Sequence, residues 1–98
     1  MLLFVANWPA PRIAAWDALL RARAIENQCY VAAVNRVGED GKGLAYSGHS
    51  AIYDPMGNPV IAPWEEEGCR TAAVDLGFVR DVRRDFPFAA EADAFSFD

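Results

Sequence analysis

The sequence predicts a layered α/β fold with two helices and about five strands. Met1–Ala6 and Cys29–Val34 are continuous apolar runs, the pattern of strands buried on both faces of a sheet. Between them Ile13, Trp16, Leu20 and Ala24 recur at i, i+3, i+7 and i+11, one stripe of a helix. Strand, helix and strand in that order make a βαβ unit, whose crossover is expected to be right-handed.

Each element has a local reason. Asn7-Trp8-Pro9-Ala10-Pro11 ends the first strand, because two prolines cannot lie inside a central strand, and Pro11 suits the first turn of a helix. The helix runs from Pro11 to about Asn27, with Arg12, Asp17 and Arg21 off its apolar stripe and Asp17–Arg21 spaced as an i, i+4 ion pair. It ends near Gln28, where the second apolar strand begins. A meander is expected beyond that. Gly38–Gly43 reads as a polar, turn-rich loop, Tyr46–Tyr53 as one strand, and Asp54-Pro55-Met56-Gly57 as a type I turn. Val60-Ile61-Ala62 returns as the partner strand and Thr71–Val74 follows as another, after the acidic loop Glu65–Gly68. Leu76–Arg84 is the second helix, stopped by Asp85-Phe86-Pro87, and the tail carries Phe88, Phe95 and Phe97.

Composition narrows the function. With 98 residues, 53% of them hydrophobic and 23% charged, the chain is one globular domain at most and not a disordered one. The net charge of -5 and the scattered basic residues argue against nucleic acid, which needs clustered positive charge. No apolar run approaches the roughly 20 residues of a membrane span. Met1–Ala6 is too short for a signal sequence and lacks a basic leader. Two cysteines, Cys29 and Cys69, make neither a disulfide framework nor a metal motif, so a reduced, cytoplasmic protein is expected.

Few residues could carry chemistry. Cys29 and His49 are the pair that could act as nucleophile and base, but Cys29 opens an apolar strand, where cysteine behaves as a small hydrophobe. Cys69 adjoins carboxylates, which hold a thiol protonated. His49 lacks a second metal ligand in suitable spacing and reads as a structural, hydrogen-bonded residue. Glu65-Glu66-Glu67 reads as a solvated loop. Arg21, Arg23, Glu26 and Asn27 close the helix, with Arg23 and Glu26 spaced to pair. Asn7 and Trp8 follow the carboxyl end of the first strand, where open α/β sheets bind ligands.

Four motifs then stand in one order. Asn7-Trp8-Pro9, Arg23-Ala24-Ile25-Glu26-Asn27-Gln28 running into Tyr30-Val31, Asn35-Arg36-Val37-Gly38, and Gly48-His49-Ser50 with Asp54-Pro55-Met56-Gly57 together resemble the nitrilase superfamily of carbon–nitrogen hydrolases. Arg83-Arg84-Asp85-Phe86-Pro87, with Asp93 and Phe95 after it, is similar to bacterial omega-amidase-like members.

The resemblance implies a four-layer α-β-β-α sandwich and a site built from a cysteine nucleophile, a glutamate and a lysine, all preceding the strand that corresponds to Leu2–Ala6. Neither Cys29-Tyr30 nor the lone lysine, Lys42, matches those motifs. Residues 1–98 therefore read as the C-terminal portion of a single carbon–nitrogen hydrolase domain, with the N-terminal half missing and no catalytic residue of its own. A chain that opens in its most buried kind of strand agrees with that. The resemblance further implies hydrolysis of a small amide, such as 2-oxoglutaramate, to acid and ammonia without metal or organic cofactor. Asn7 and Trp8 would be pocket wall, and the enzyme a homo-oligomer. The alternative is a non-catalytic module that associates with itself or with a full-length relative.

Overall fold

A computed structural model describes residues 1–91. Asp93, Phe95 and Phe97 lie outside the described residues. Strands β1 (Leu2–Ala6) and β2 (Val31–Asn35) pair in parallel, joined by a 3-10 turn (Ala10–Arg12) and helix α1 (Ile13–Asn27). Then come β3 (Val37–Glu39), β4 (Ala45–Ser47), β5 (Ser50–Tyr53), β6 (Pro59–Trp64) and α2 (Leu76–Asp85), with a final 3-10 turn (Phe88–Glu91). The main sheet has the order β1-β2-β5-β6, antiparallel from β2 onward, and β3 and β4 form a separate antiparallel hairpin.

The helical stripe does what its spacing predicts. Trp16, Leu20 and Ala24 are buried against Val31, Ala33, Ala51 and Tyr53, with Leu2, Phe4 and the half-buried Ile13 around them. Gln28 ends α1 in the left-handed conformation (φ 49°), and the N–H groups of Gln28 and Cys29 bond the carbonyls of Ile25 and Ala24. That is a Schellman closure, made here without glycine. It also receives α2: Arg83 donates to the carbonyls of Asn27 and Gln28 at 3.3 and 3.2 Å, a cation where the helix dipole is negative. Gln28 Nε2 donates in return to the Phe86 carbonyl at 2.6 Å.

The expected turn at Asp54 forms, with Gly57 N–H bonded to the Asp54 carbonyl at 2.9 Å and the Asp54 carboxylate accepting from Met56 and Asn58. Gly57 sits at φ 82°, and a Cβ there would lie 2.7 Å from Ile25 Cδ1, so glycine is needed twice over.

Four expectations are corrected. The run Tyr46–Tyr53 is two strands, because Gly48 (φ 76°) and His49 (φ 59°) turn the chain between β4 and β5. Part of the Gly38–Gly43 loop is strand β3, its turn held by the Asp40 carboxylate, which accepts from the N–H of Lys42 and Leu44. Backbone N–H groups of Leu44 and Lys42 hold the Asp40 carboxyl below the usual carboxylate range. Thr71–Val74 forms no strand. Its β-forming residues need a ladder, and no strand among the described residues pairs with them.

The fourth correction concerns β1, which alternates instead of being buried on both faces. Leu3 and Val5 are 72% and 86% exposed. By register Leu3 lies beside Ala32, Val5 beside Val34, Ala32 beside Ile52, and Ile52 beside Ile61. That face is therefore apolar, with Leu3, Val5 and Val34 exposed and Ala32, Ile52 and Ile61 half-buried. The described chain is a helix layer on a sheet layer, a slab 18 Å thick in its thin direction.

Candidate functional site at the carboxyl end of the parallel strands

The site is organised by a residue that motif reading left without a role. Asn35 ends β2 on the same face as Val31 and Ala33, so the pleat carries its amide into the interior, where it is buried. Its Oδ1 accepts from the Trp8 N–H at 2.7 Å, and its Nδ2 donates to the carbonyls of Trp8 and Gly48, both at 2.9 Å. The Asn35 N–H is itself bonded to Ser50 Oγ at 2.9 Å. One amide thus joins the segment leaving β1 to the turn between β4 and β5. A lone polar residue at a core parity position in Val-Ala-Ala-Val-Asn was the signal available in the sequence.

Asn7 and Trp8 are placed by that amide, and exposure alternates on from β1 through them. Asn7 is exposed, like Leu3 and Val5, while Trp8 is half-buried on the helix side. The Trp8 ring lies 5.9 Å from that of Trp16, its Nε1 donates to the Arg12 carbonyl, and the Arg12 guanidinium covers it. At the carboxyl end of β2 a groove of about 540 Å³ is lined by Val34, Asn35, Arg36, Ser50, Trp64 and Arg70, and neither Asn7 nor Trp8 is among its lining residues.

His49 is hydrogen-bonded, as expected, though its partners were not foreseen. Nδ1 faces both oxygens of Asp17 at 3.0 and 2.9 Å, and Nε2 faces Glu65 at 3.1 Å. Partial burial pushes the imidazole toward neutrality, but the two carboxylates outweigh it and hold its pKa above the ordinary value. Asp17 is therefore engaged with His49 and not with Arg21, whose Nε donates to the Gly57 carbonyl. Glu65 is likewise more than a solvated loop residue. Arg23 and Glu26 pair at 2.6 Å as their spacing predicts.

The structure separates the two residues that could have made a nucleophile–base pair. Cys29 is buried next to the C-cap of α1, before β2, whereas His49 lies beyond the other end of that strand, roughly 20 Å of extended chain away. Cys69 is exposed at the rim of the groove. No helix among the described residues is long and apolar enough to cross a membrane.

Residues 3–84 match the family described as Carbon-nitrogen hydrolase. The chain is 46% identical over 96 residues to the omega-amidase YafV of Escherichia coli, covering 97% of this chain and 38% of that protein. It is 44% identical over 87 residues to the 2-oxoglutaramate amidase of Bacillus subtilis, covering 89% and 33%. Among solved structures, XC1258 of Xanthomonas campestris, a CN-hydrolase superfamily protein with an arsenic adduct in its active site, superposes with a TM-score of 0.91. Its identity is 48%, over 98% of this chain and 36% of that one. The Caenorhabditis elegans NitFhit protein superposes at 0.78 with 36% identity, over 92% and 23%. The chain spans between 23% and 38% of the length of these relatives.

Proposed function

The chain belongs to the carbon–nitrogen hydrolase family, and from that membership we propose that residues 1–98 are the C-terminal portion of a single hydrolase domain of omega-amidase type. The complete enzyme hydrolyses a small amide of a dicarboxylic or 2-oxo acid to acid and ammonia in the cytoplasm, as a homo-oligomer. The observation that carries this reading is the apolar sheet face on which Leu3, Val5 and Val34 stand exposed beside the half-buried Ala32, Ile52 and Ile61. It is the inner face of a sandwich whose other half comes from residues outside this chain.

In that enzyme a thiolate attacks the amide carbon, a glutamate moves protons, and a lysine stabilises the oxyanion. This chain contributes none of the three. It supplies the wall, with Asn7 exposed at the strand end and Trp8 held by Asn35. Removing the members of such a catalytic unit costs factors of about 10⁴ or more, so the isolated chain is inert.

The test is ammonia release from 2-oxoglutaramate, by the chain alone and after mixing with the portion of the Escherichia coli relative that it does not match. Activity is expected only in the mixture. Turnover by the chain alone that Cys29→Ala abolishes would sink this account. The same bare face supports a second reading, a non-catalytic module that pairs with itself or with a full-length relative. Light scattering decides for it if stable self-association occurs and the mixture stays inactive.

A further inference from the structure

His49 sits where three parts of the fold meet. Its N–H donates to the Trp64 carbonyl at 2.9 Å, its own carbonyl accepts from Trp16 Nε1 at 2.9 Å, and its ring lies between Asp17 of α1 and Glu65, just past β6. The charged groups acting on the imidazole are those two carboxylates. From β5, Tyr53 has Asp17 and Arg21 for charged neighbours, and burial, then Asp17, raises its phenol, so it stays neutral around the ring. Arg36, from the end of β2, is engaged by the Glu39 carbonyl and the Tyr46 ring.

An imidazolium has two N–H donors and a neutral imidazole has one. Both contacts can be hydrogen bonds only while the ring is charged. When it gives its proton to solvent, one nitrogen becomes a lone pair facing a carboxylate. The Asp17 contact uses both oxygens and its side chain is 32% exposed, while Glu65 makes one contact at 68% exposed. Glu65 is therefore the partner that leaves. What it releases matters, because its neighbours Trp64, Glu66, Glu67 and Arg70 form one wall of the groove at the end of β2.

We propose that His49 is a proton-operated latch: charged, it ties the segment after β6 to α1 through Glu65 and Asp17, and neutral, it keeps Asp17 and frees Glu65, loosening that wall of the groove. The latch rests on the fold alone and is independent of the amidase reading. Because the folded pKa is raised, the stability it contributes is complete below the unfolded imidazole value of about 6.5 and is lost as pH rises through the folded value.

The chain has a single histidine, so its ring is one unambiguous signal in a long-range proton–nitrogen spectrum of the full 98-residue protein. Titration between about pH 5 and pH 9 should show both nitrogens protonated at the acid end, a midpoint above that of a histidine in an unfolded chain, and the Nδ1–H tautomer at the alkaline end. The backbone order of Glu65–Gly68 should fall with the same midpoint. Glu65→Gln should lower the midpoint, and His49→Asn, which tolerates the left-handed φ of 59°, should make that order independent of pH. A midpoint at or below that of a histidine in an unfolded chain, an Nε2–H tautomer, or loop order that ignores the titration would each overturn the latch.

Discussion

Replacing Asn35 by alanine strips three buried or half-buried backbone groups of their partner at once: the Trp8 N–H, the Trp8 carbonyl and the Gly48 carbonyl. A buried polar group left unpaired costs about 1–3 kcal/mol, the N–H more than the carbonyls, which retain a second lone pair. Water reaching the half-buried Trp8 recovers part of it, so a total of about 3 kcal/mol is expected. Set against the roughly 5–15 kcal/mol of a whole domain, that is a large share, lowering Tm by about 4–8 °C for each kcal/mol. Asn35→Asp sharpens the test. Its carboxylate can still accept from Trp8 but faces two carbonyl oxygens with no proton to offer, so the folded state raises its pKa. The penalty is then full at neutral pH and shrinks as pH falls through that raised value, where the acid regains a donor. Urea unfolding followed by circular dichroism, for both variants at several pH values, measures this. A loss below about 1 kcal/mol for Asn35→Ala, or an Asn35→Asp penalty indifferent to pH, refutes the idea that this amide holds the site together.

Trp16→Ala should cost about 3–5 kcal/mol in the same assay, since Trp16 is 4% exposed and bonds the His49 carbonyl; less than about 0.5 kcal/mol would mean the helical stripe is not core. Gly57→Ala should cost about 1–3 kcal/mol from its positive φ and its clash with Ile25. Shrinking the clash with Ile25→Ala should return only part of that loss, and two losses that simply add would mean that Ile25 does not press on the turn.

Periodicity alone revealed the βαβ unit and the core stripe, because Trp16, Leu20 and Ala24 repeat at a spacing that only a helix turns to one side. The Asp54–Gly57 turn was equally legible, since Asp, Pro and Gly each suit one position of it. Thr71–Val74 misled because β-propensity says what suits a ladder and not whether one is within reach. The break at Gly48-His49 was hidden because the residues on either side look like strand, and a non-glycine left-handed residue carries no compositional mark. At the candidate site, Asn7 and Trp8 were singled out by their place after β1, but the anchor that holds Trp8 was not. Asn35 acts on them across 27 positions of sequence, and a hydrogen bond of that range has no period. His49 was rightly read as hydrogen-bonded, while Asp17 was assigned to its helical neighbour Arg21, the nearest opposite charge in sequence and not in space.

The sheet also has a kinetic side. β5 meets β6 across a tight turn, but β1 pairs in parallel with β2 only after all of α1 has been made, and β2 must reach past the β3–β4 hairpin to β5. Loop closure has to be met before such non-local ladders repay it, so parallel and long-range pairing is slow. Leu3, Val5 and Val34 are wet throughout that search and stay wet when the ladders are complete. Encounter with whatever covers that face, and not completion of the sheet, therefore sets the time the chain spends at risk of aggregation.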